Sequence, residues 1–311
     1  MFPTIDDVVE RFRAHQYLCS RNVATVVFLA SKLRRPILVE GPAGVGKTDL
    51  GQTLARSLGV ELVRLQCYEG LDETKALYEW EYAKQLLYTQ ILKDKIGEVL
   101  AGTGGLKESV DRLTTEEDVF FSERFLLSRP LLKVIRADGI QVLLIDEIDK
   151  ADPEFEAFLL EFLSDFQVSV PEIGTFKAKE RPLVILTSNN TRELSDALKR
   201  RCLHLFLDFP EEALETEIVR MKVPEAGPLL TRQVVKMVHG LREMDLKKVP
   251  SISEALDWAR ALALLNVGAL DDAVVRDTLG LVLKHEVDVK KAREQVPRLV
   301  SRLPTAAGGA G

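Results

Sequence analysis

Residues Gly41 to Thr48 read GPAGVGKT, and Val142 to Asp149 read VLLIDEID. The first run is glycine, four residues, glycine, lysine and a hydroxyl residue, set after the apolar Pro36 to Val39 and before a helix-like run. The second is an apolar run ending in an Asp-Glu pair. Together they predict the two halves of a site that binds and hydrolyses a nucleoside triphosphate with Mg2+.

The chemistry explains the residue types. Gly41, Gly44 and Gly46 let the backbone take conformations closed to other residues and come close to phosphates, so that main-chain N–H groups face the anion. The loop leads into a helix N-terminus, whose dipole favours negative charge. Lys47 supplies a mobile cation for the β- and γ-phosphates, and the Thr48 hydroxyl is placed to ligate magnesium. Asp146, at its strand end, is expected to hold the same ion through water, and Glu147 to polarise the attacking water. The remaining residues of the stretch, Pro42, Ala43, Val45 and Asp49, are expected to line the nucleotide with them. The Asp-Glu pair leans towards hydrolysis rather than phosphate transfer to a small molecule.

Composition frames this site. A chain of 311 residues with 46% hydrophobic content can bury one large domain and a smaller one. Val23 to Ala30 and Ala261 to Leu270, the longest apolar stretches, fall short of the roughly 20 residues a membrane span needs. Asp6, Asp7 and Glu10 stand where a signal peptide would be basic and then apolar. Cys19, Cys67 and Cys202 are scattered and unpaired at metal-ligand spacing, which fits a reducing cytoplasm. His15, His204, His239 and His285 form no cluster either, so no structural metal is expected. The net charge of −6 argues against a broad nucleic-acid-binding surface.

Along the chain, Thr4 to Phe12 and Val23 to Leu33 show helical spacing, with Thr4 as N-cap. Asp49 to Leu58 predicts a helix stopped by Gly59. Ile37 to Val39, Glu61 to Gln66, Gln141 to Asp146, Leu183 to Ser188 and His204 to Asp208 are apolar or β-branched runs separated by helices, the pattern of a buried parallel sheet with helices on both faces. Ligands of such sheets sit beyond the carboxyl ends of the strands, where Lys47, Asp146 and Asn189 fall. Asp152 to Phe166 reads as a core-facing helix with Asp152 as cap and Pro153 in the first turn. Val168 to Val170 and Phe176 to Ala178 read as a β-hairpin around Pro171 to Thr175. Between Tyr68 and Gly139 the spacing predicts helices at Ala76 to Leu92 and Ser122 to Ile135, with a flexible loop at Gly102 to Lys107. Beyond Pro210 the pattern is helical to about Leu303, and Thr305 to Gly311 reads as a disordered tail.

With its sheet domain, its Asp-Glu motif, the polar strand end Thr187-Ser-Asn189 and Leu198-Lys-Arg-Arg-Cys202 just beyond, the chain resembles the AAA+ ATPases over roughly residues 20 to 260. The resemblance implies an α/β AAA+ P-loop core with a five-stranded parallel sheet over residues 1–209, an all-helical lid over 210–303, and a tail over 304–311. It implies that Asn189 senses the γ-phosphate and that Arg201, or alternatively Arg200, completes a neighbouring subunit's site, which points to a homo-hexamer. An insertion after the second strand (a helix-2 insertion), a hairpin before the Asn189 strand, and a lid after Leu207-Asp-Phe-Pro210 are similar to the MoxR family. Gln66 to Asp72, Ser128 to Leu132 and Pro250 to Trp258 resemble members encoded with aerobic carbon monoxide dehydrogenase and related molybdenum hydroxylases. That implies a chaperone ATPase maturing a metal centre, with a von Willebrand A-type partner.

One departure concerns the lid. Where many AAA+ lids place an arginine against the γ-phosphate, this chain has Ile252, Ser253 and Glu254, and Arg260 lies about two turns further along as a substitute. Tyr68 reads as a packed loop aromatic rather than a pore residue, and Gln66 as a group that holds Glu147 away from water. Two other functions remain open: a nucleic-acid motor or loader sharing the same site, and a nucleotide-gated scaffold with little turnover. The lack of interleaved aromatic and basic stretches counts against the first, and the intact Glu147 and Arg201 against the second.

Overall fold

Alternation along the strands sorts their side chains into two apolar layers, and that sorting builds the domain. A computed structural model describes residues 1–87, 90, 125–170 and 173–305. Five parallel strands, β1 (Ile37–Glu40), β2 (Leu62–Gln66), β5 (Val142–Asp146), β8 (Leu183–Ser188) and β9 (Leu203–Phe206), form one sheet in the order β2-β5-β8-β1-β9. Leu143, Ile145, Val184 and Leu186 face one layer, with the helices Pro130–Arg136 and Pro153–Asp165. Val142, Leu144, Leu183 and Ile185 face the other, with the helices Ile5–Ala14, Arg21–Leu33 and Lys47–Leu58. The anticipated α/β fold and its five-stranded parallel sheet are therefore present. No helix among the described residues is long and apolar enough to cross a membrane.

Local signals act largely as the sequence implies. The Thr4 hydroxyl accepts from the Asp7 N–H, and Gly59 ends its helix at φ 66. The hairpin forms from β6 (Gln167–Val170) and β7 (Gly174–Lys177). Asp152 is a correction: its carboxylate makes no cap bond to the Pro153–Asp165 helix and instead accepts from the Gly70 N–H at 3.0 Å, tying the loop after β2 to the start of that helix.

The expected long helix at Ala76 to Leu92 is also corrected. Asp72 caps a short helix, Glu73–Leu77, by accepting from Lys75 N–H at 2.8 Å. The chain then extends as β3 (Tyr78–Trp80), whose aromatic residues favour strand, before turning helical again over 82–87. β3 pairs antiparallel with β4 (Leu126–Ser128), so the expected helix at Ser122 to Ile135 begins only at Pro130, which occupies its first turn. Ser122, the Gly102 to Lys107 loop and all but Thr305 of the tail lie outside the described residues.

Past Pro210 the described chain is helical: Glu212–Lys222, Gly227–Arg242, Ile252–Leu264, Asp272–Val282 and Glu286–Val300 pack around Trp258, Val234, Leu262 and Leu279. The Trp258 indole N–H donates to the buried Thr278 hydroxyl at 2.9 Å, so burying this large ring leaves no unpaired donor.

Candidate functional site

The Gly41 to Thr48 loop joins β1 to the Lys47–Leu58 helix, and its three glycines all carry positive φ, at 149°, 76° and 96° for Gly41, Gly44 and Gly46. At Gly41 an added Cβ would lie 1.9 Å from the Leu207 carbonyl oxygen. Leu207 cannot simply retreat, because its N–H donates to the Glu40 carbonyl at 2.8 Å. Gly41→Ala is therefore expected to cost about 1–3 kcal/mol and to weaken nucleotide binding. Thermal unfolding and a fluorescent-nucleotide titration check this.

The loop opens on a cavity of about 330 Å3 lined by Ala43, Gly44, Gly46, Lys47, Thr48, Asp49, Asp146, Glu147 and Asn189, together with Gln52, Thr187 and Ser253. Pro42 contributes its carbonyl to Lys47, and the buried Val45 faces a neighbouring slot. The Lys47 ammonium donates to the carbonyls of Gly41 (2.6 Å) and Pro42 (2.7 Å) and to Asn189 Oδ1 (2.7 Å). Burial lowers its pKa, while Asp149, Asp146 and Glu147 pull in the opposite direction.

Asp146 is almost wholly buried at the end of β5. It accepts from the Thr48 hydroxyl at 3.0 and 3.1 Å, from the Thr187 hydroxyl at 2.5 Å, and from Arg64 Nη2 at 2.5 Å. Glu147 follows in the left-handed region at φ 57, which turns its carboxylate back over the strand ends. Gln66 Nε2 (3.0 Å) and Lys150 Nζ (2.6 Å) donate to Glu147 Oε2, and Asn189 Nδ2 (3.3 Å) to Oε1.

Asp149 supports the opposite wall, accepting from the main chain of Asn189 and from both the main chain and hydroxyl of Thr191. Burial pushes its carboxyl pKa up, but these bonds outweigh that and hold it below the ordinary value. The donor set fits magnesium: a hydroxyl and a carboxylate, hard oxygen ligands, stand beside a cradle of backbone N–H groups and one mobile cation.

Arg201 and Arg200 do not line this cavity. The Arg201 guanidinium donates to Ser164 Oγ (3.2 Å) and the Ala197 carbonyl (3.3 Å). Arg35 pins the turn carrying both residues by donating to the carbonyls of Arg200, Arg201 and Cys202. Arg260 is a correction: it pairs with Asp257 at 3.1 Å, both side chains exposed, on the helix Ile252–Leu264. Glu254 joins a capping box with Ser251, and Ser253 reaches the Gly44 carbonyl at 3.4 Å. Among the described residues, the helical-region cation paired with a residue lining the cavity is Lys222, 2.6 Å from Asp49 in the first turn of the helix Lys47–Leu58. Tyr68 is corrected too: it is 47% exposed rather than packed.

Sequence reasoning missed Arg64, Thr187, Asp149 and Lys222 as parts of the site. A signal for Arg64 existed: with Gln66 two residues on, it makes one polar face of a strand whose Val63 and Leu65 are apolar, beside the strand ending in Asp146.

The chain is 28% identical over 279 residues to the gas vesicle ATPase GvpN of Haloferax mediterranei, covering 84% of this chain and 72% of that protein. It is 25% identical to gas vesicle ATPase GvpN1 of Halobacterium salinarum, covering 88% and 75%. A solved structure of a RuvB point mutant from Thermotoga maritima aligns at TM-score 0.47 with 17% identity, over 90% of this chain and 73% of that one. The family model for the ATPase family associated with various cellular activities (AAA) matches residues 37–210, the span running from β1 through β9 to Pro210. The chain belongs to that family and is an ATPase.

Proposed function

We propose that this ATPase is a ring-forming machine, a homo-hexamer, that remodels a protein client, with residues 1–209 as its nucleotide-binding domain and 210–303 as its lid. The observation that carries this reading is the restrained state of Glu147, whose carboxylate is held by Gln66, Lys150 and Asn189 beside an otherwise complete site. A base held in this way suits an enzyme whose hydrolysis is gated rather than continuous.

Lys47 and the loop N–H groups bind the β- and γ-phosphates of ATP. Thr48 and Asp146 would hold Mg2+, which would supply charge neutralisation on the phosphates. Asn189 orients the attacking water and Glu147 takes its proton, as the water oxygen bonds to the γ-phosphorus and the bond to the ADP oxygen breaks. The slot between Tyr17, Val45, Ile218, Ile252 and Leu256 receives the base. Arg201, on a turn fixed by Arg35, acts on the site of the adjacent subunit.

Arg201→Ala is expected to lower turnover by roughly three orders of magnitude, and Arg200→Ala by far less. Mixing Arg201→Ala with Glu147→Gln, each inactive alone, restores partial turnover under a trans mechanism. No recovery in mixed rings of confirmed mass removes it. DNA or RNA stimulating turnover would instead favour a nucleic-acid motor.

For the client, the segments Gln66 to Asp72, Ser128 to Leu132 and Pro250 to Trp258 favour a molybdenum hydroxylase of the carbon monoxide dehydrogenase type, with a von Willebrand A-type partner. The similarity to two gas vesicle ATPases favours a second reading, a client associated with gas vesicles. Affinity capture with ATP-locked Glu147→Gln separates the two by what is retained.

A further inference from the structure

Arg64 has no place in the roles just given, yet its guanidinium reaches Asp146 directly and Glu147 through an amide. It lies in the middle of β2, and its Nη2 donates to Asp146 Oδ2 at 2.5 Å and to Gln66 Oε1 at 2.6 Å. Gln66 then donates from Nε2 to Glu147 Oε2 at 3.0 Å. A glutamine amide has one accepting end and one donating end. With its oxygen taken by Arg64, its NH2 must face Glu147, so Arg64 sets which way round Gln66 sits.

The ion pair is just as specific. Among the described residues, Arg64 is the cation paired with Asp146; Lys47 is spent on two carbonyls and Asn189. Asp146 is 3% exposed in its side chain, whereas Arg64 is 47% exposed. One partner is therefore fixed and the other is free to leave. Arg64 also lines a cavity of about 550 Å3 that no phosphate-loop residue lines, walled by Tyr68, Lys75, Glu79 and Arg129, which gives the guanidinium room to withdraw. Two cations beside one carboxylate oxygen repel, and burial of that oxygen weakens the screening.

We propose that Arg64 is a positioning residue of the ATPase site: it neutralises Asp146 at the metal position and, through the same nitrogen, turns Gln66 to restrain Glu147. Loading the metal position and releasing the base thereby become one event. Without metal, Arg64 stays on Asp146 and Glu147 stays held. With metal, Arg64 yields, Gln66 loses the bond that orients it, and Glu147 is free to meet water. This rests on the reading of Asp146 as the metal carboxylate and Glu147 as the base.

The test uses full-length Arg64→Ala, Arg64→Lys, Gln66→Ala and Asp146→Asn. Two readouts do not depend on turnover: the Mg2+ concentration that half-saturates tightening of a fluorescent ADP analogue, and the Mg2+-induced rise in Tm with ADP. In Arg64→Ala the half-saturating Mg2+ concentration should fall roughly two- to fivefold, the scale expected for loss of one partly exposed ion pair. The Mg2+-induced rise in Tm should grow. Basal turnover should increase as it does in Gln66→Ala, with no further gain in the double variant.

Arg64→Lys keeps the charge but carries it on a shorter side chain, without the planar guanidinium whose Nη2 reaches both oxygens. Its Mg2+ response should stay near the parent's while its turnover rises. An unchanged or higher Mg2+ requirement in Arg64→Ala, with additive effects on turnover, overturns the proposal. Asp146→Asn keeps the two cases apart. If it responds to Mg2+ as the parent does, the metal reading itself fails and the proposal with it; if it loses the response while Arg64→Ala is normal, the proposal alone fails.

Discussion

Glu147→Gln should lower ATP turnover by about two to four orders of magnitude, the range spanned by general-base catalysis, while Mg-nucleotide affinity stays within a few-fold. The asymmetry follows from the contacts. Glu147 makes no bond to the phosphate loop; its partners are Gln66, Lys150 and Asn189. Glutamine keeps the size and an accepting oxygen but cannot take a proton from water. Single-turnover hydrolysis and equilibrium binding, measured on the same preparation, separate the two effects. A matching loss of affinity would instead place Glu147 in ground-state binding of the nucleotide.

The largest expected loss of stability lies in the helical region, at Arg242. Its guanidinium donates from Nη1 (2.5 Å) and Nη2 (2.8 Å) to the fully buried Glu215. From Nε it donates to the Pro250 carbonyl at 2.7 Å, and it lies over the Phe209 ring at 4.5 Å. One side chain thus ties the linker leaving the sheet, the helix Glu212–Lys222 and the turn before Ile252. Arg242→Ala leaves Glu215 buried with, among the described residues, only His239 paired to it and is expected to cost about 3–5 kcal/mol, lowering Tm by roughly 10 °C. Arg276→Ala breaks a pair of similar length with Asp272 on an exposed helix face and should cost no more than about 0.5 kcal/mol. Calorimetry on both variants checks the contrast. Arg242→Lys recovers only part, because an ammonium cannot match two carboxylate oxygens at once.

The sheet was legible because its central strands β1, β5 and β8 are buried on both faces, and burial of that kind demands unbroken apolar runs such as Val142 to Ile145. The loop was legible because close approach to phosphate restricts residue type at each position, as at Gly41 and Gly46. Between Tyr68 and Gly139 the same reasoning failed. Ala76 to Leu92 has helical spacing, but Asp72 starts a helix earlier, and pairing of Tyr78 and Trp80 with Leu126 to Ser128 overrides the local preference. That pairing joins residues far apart in sequence, so no local window records it. Arg64 and Lys222 escaped for a related reason. Each looks like an ordinary surface cation in its own element, and its meaning depends on the partner it meets, Asp146 or Asp49. Arg260 shows the converse, a cation at plausible helical spacing whose rotamer pairs outward with Asp257.

The contact between Gly44 and Ser251 has a mechanical consequence. An added Cβ at Gly44 would sit 2.2 Å from Ser251 Oγ, so the phosphate loop abuts the very start of the helix Ile252–Leu264. That helix has 13 residues and, at 1.5 Å per residue, runs for roughly 20 Å. It is a lever pushed close to its fulcrum: a shift of about 1 Å applied within its first turn of roughly 5 Å becomes a swing of roughly 4 Å at Leu264. Leu264 is 83% exposed and Leu265, next to it, 62%, so the largest amplitude falls on an apolar tip turned towards solvent. Any displacement of the phosphate loop that reached Ser251 would thereby appear enlarged at the other end of the helix.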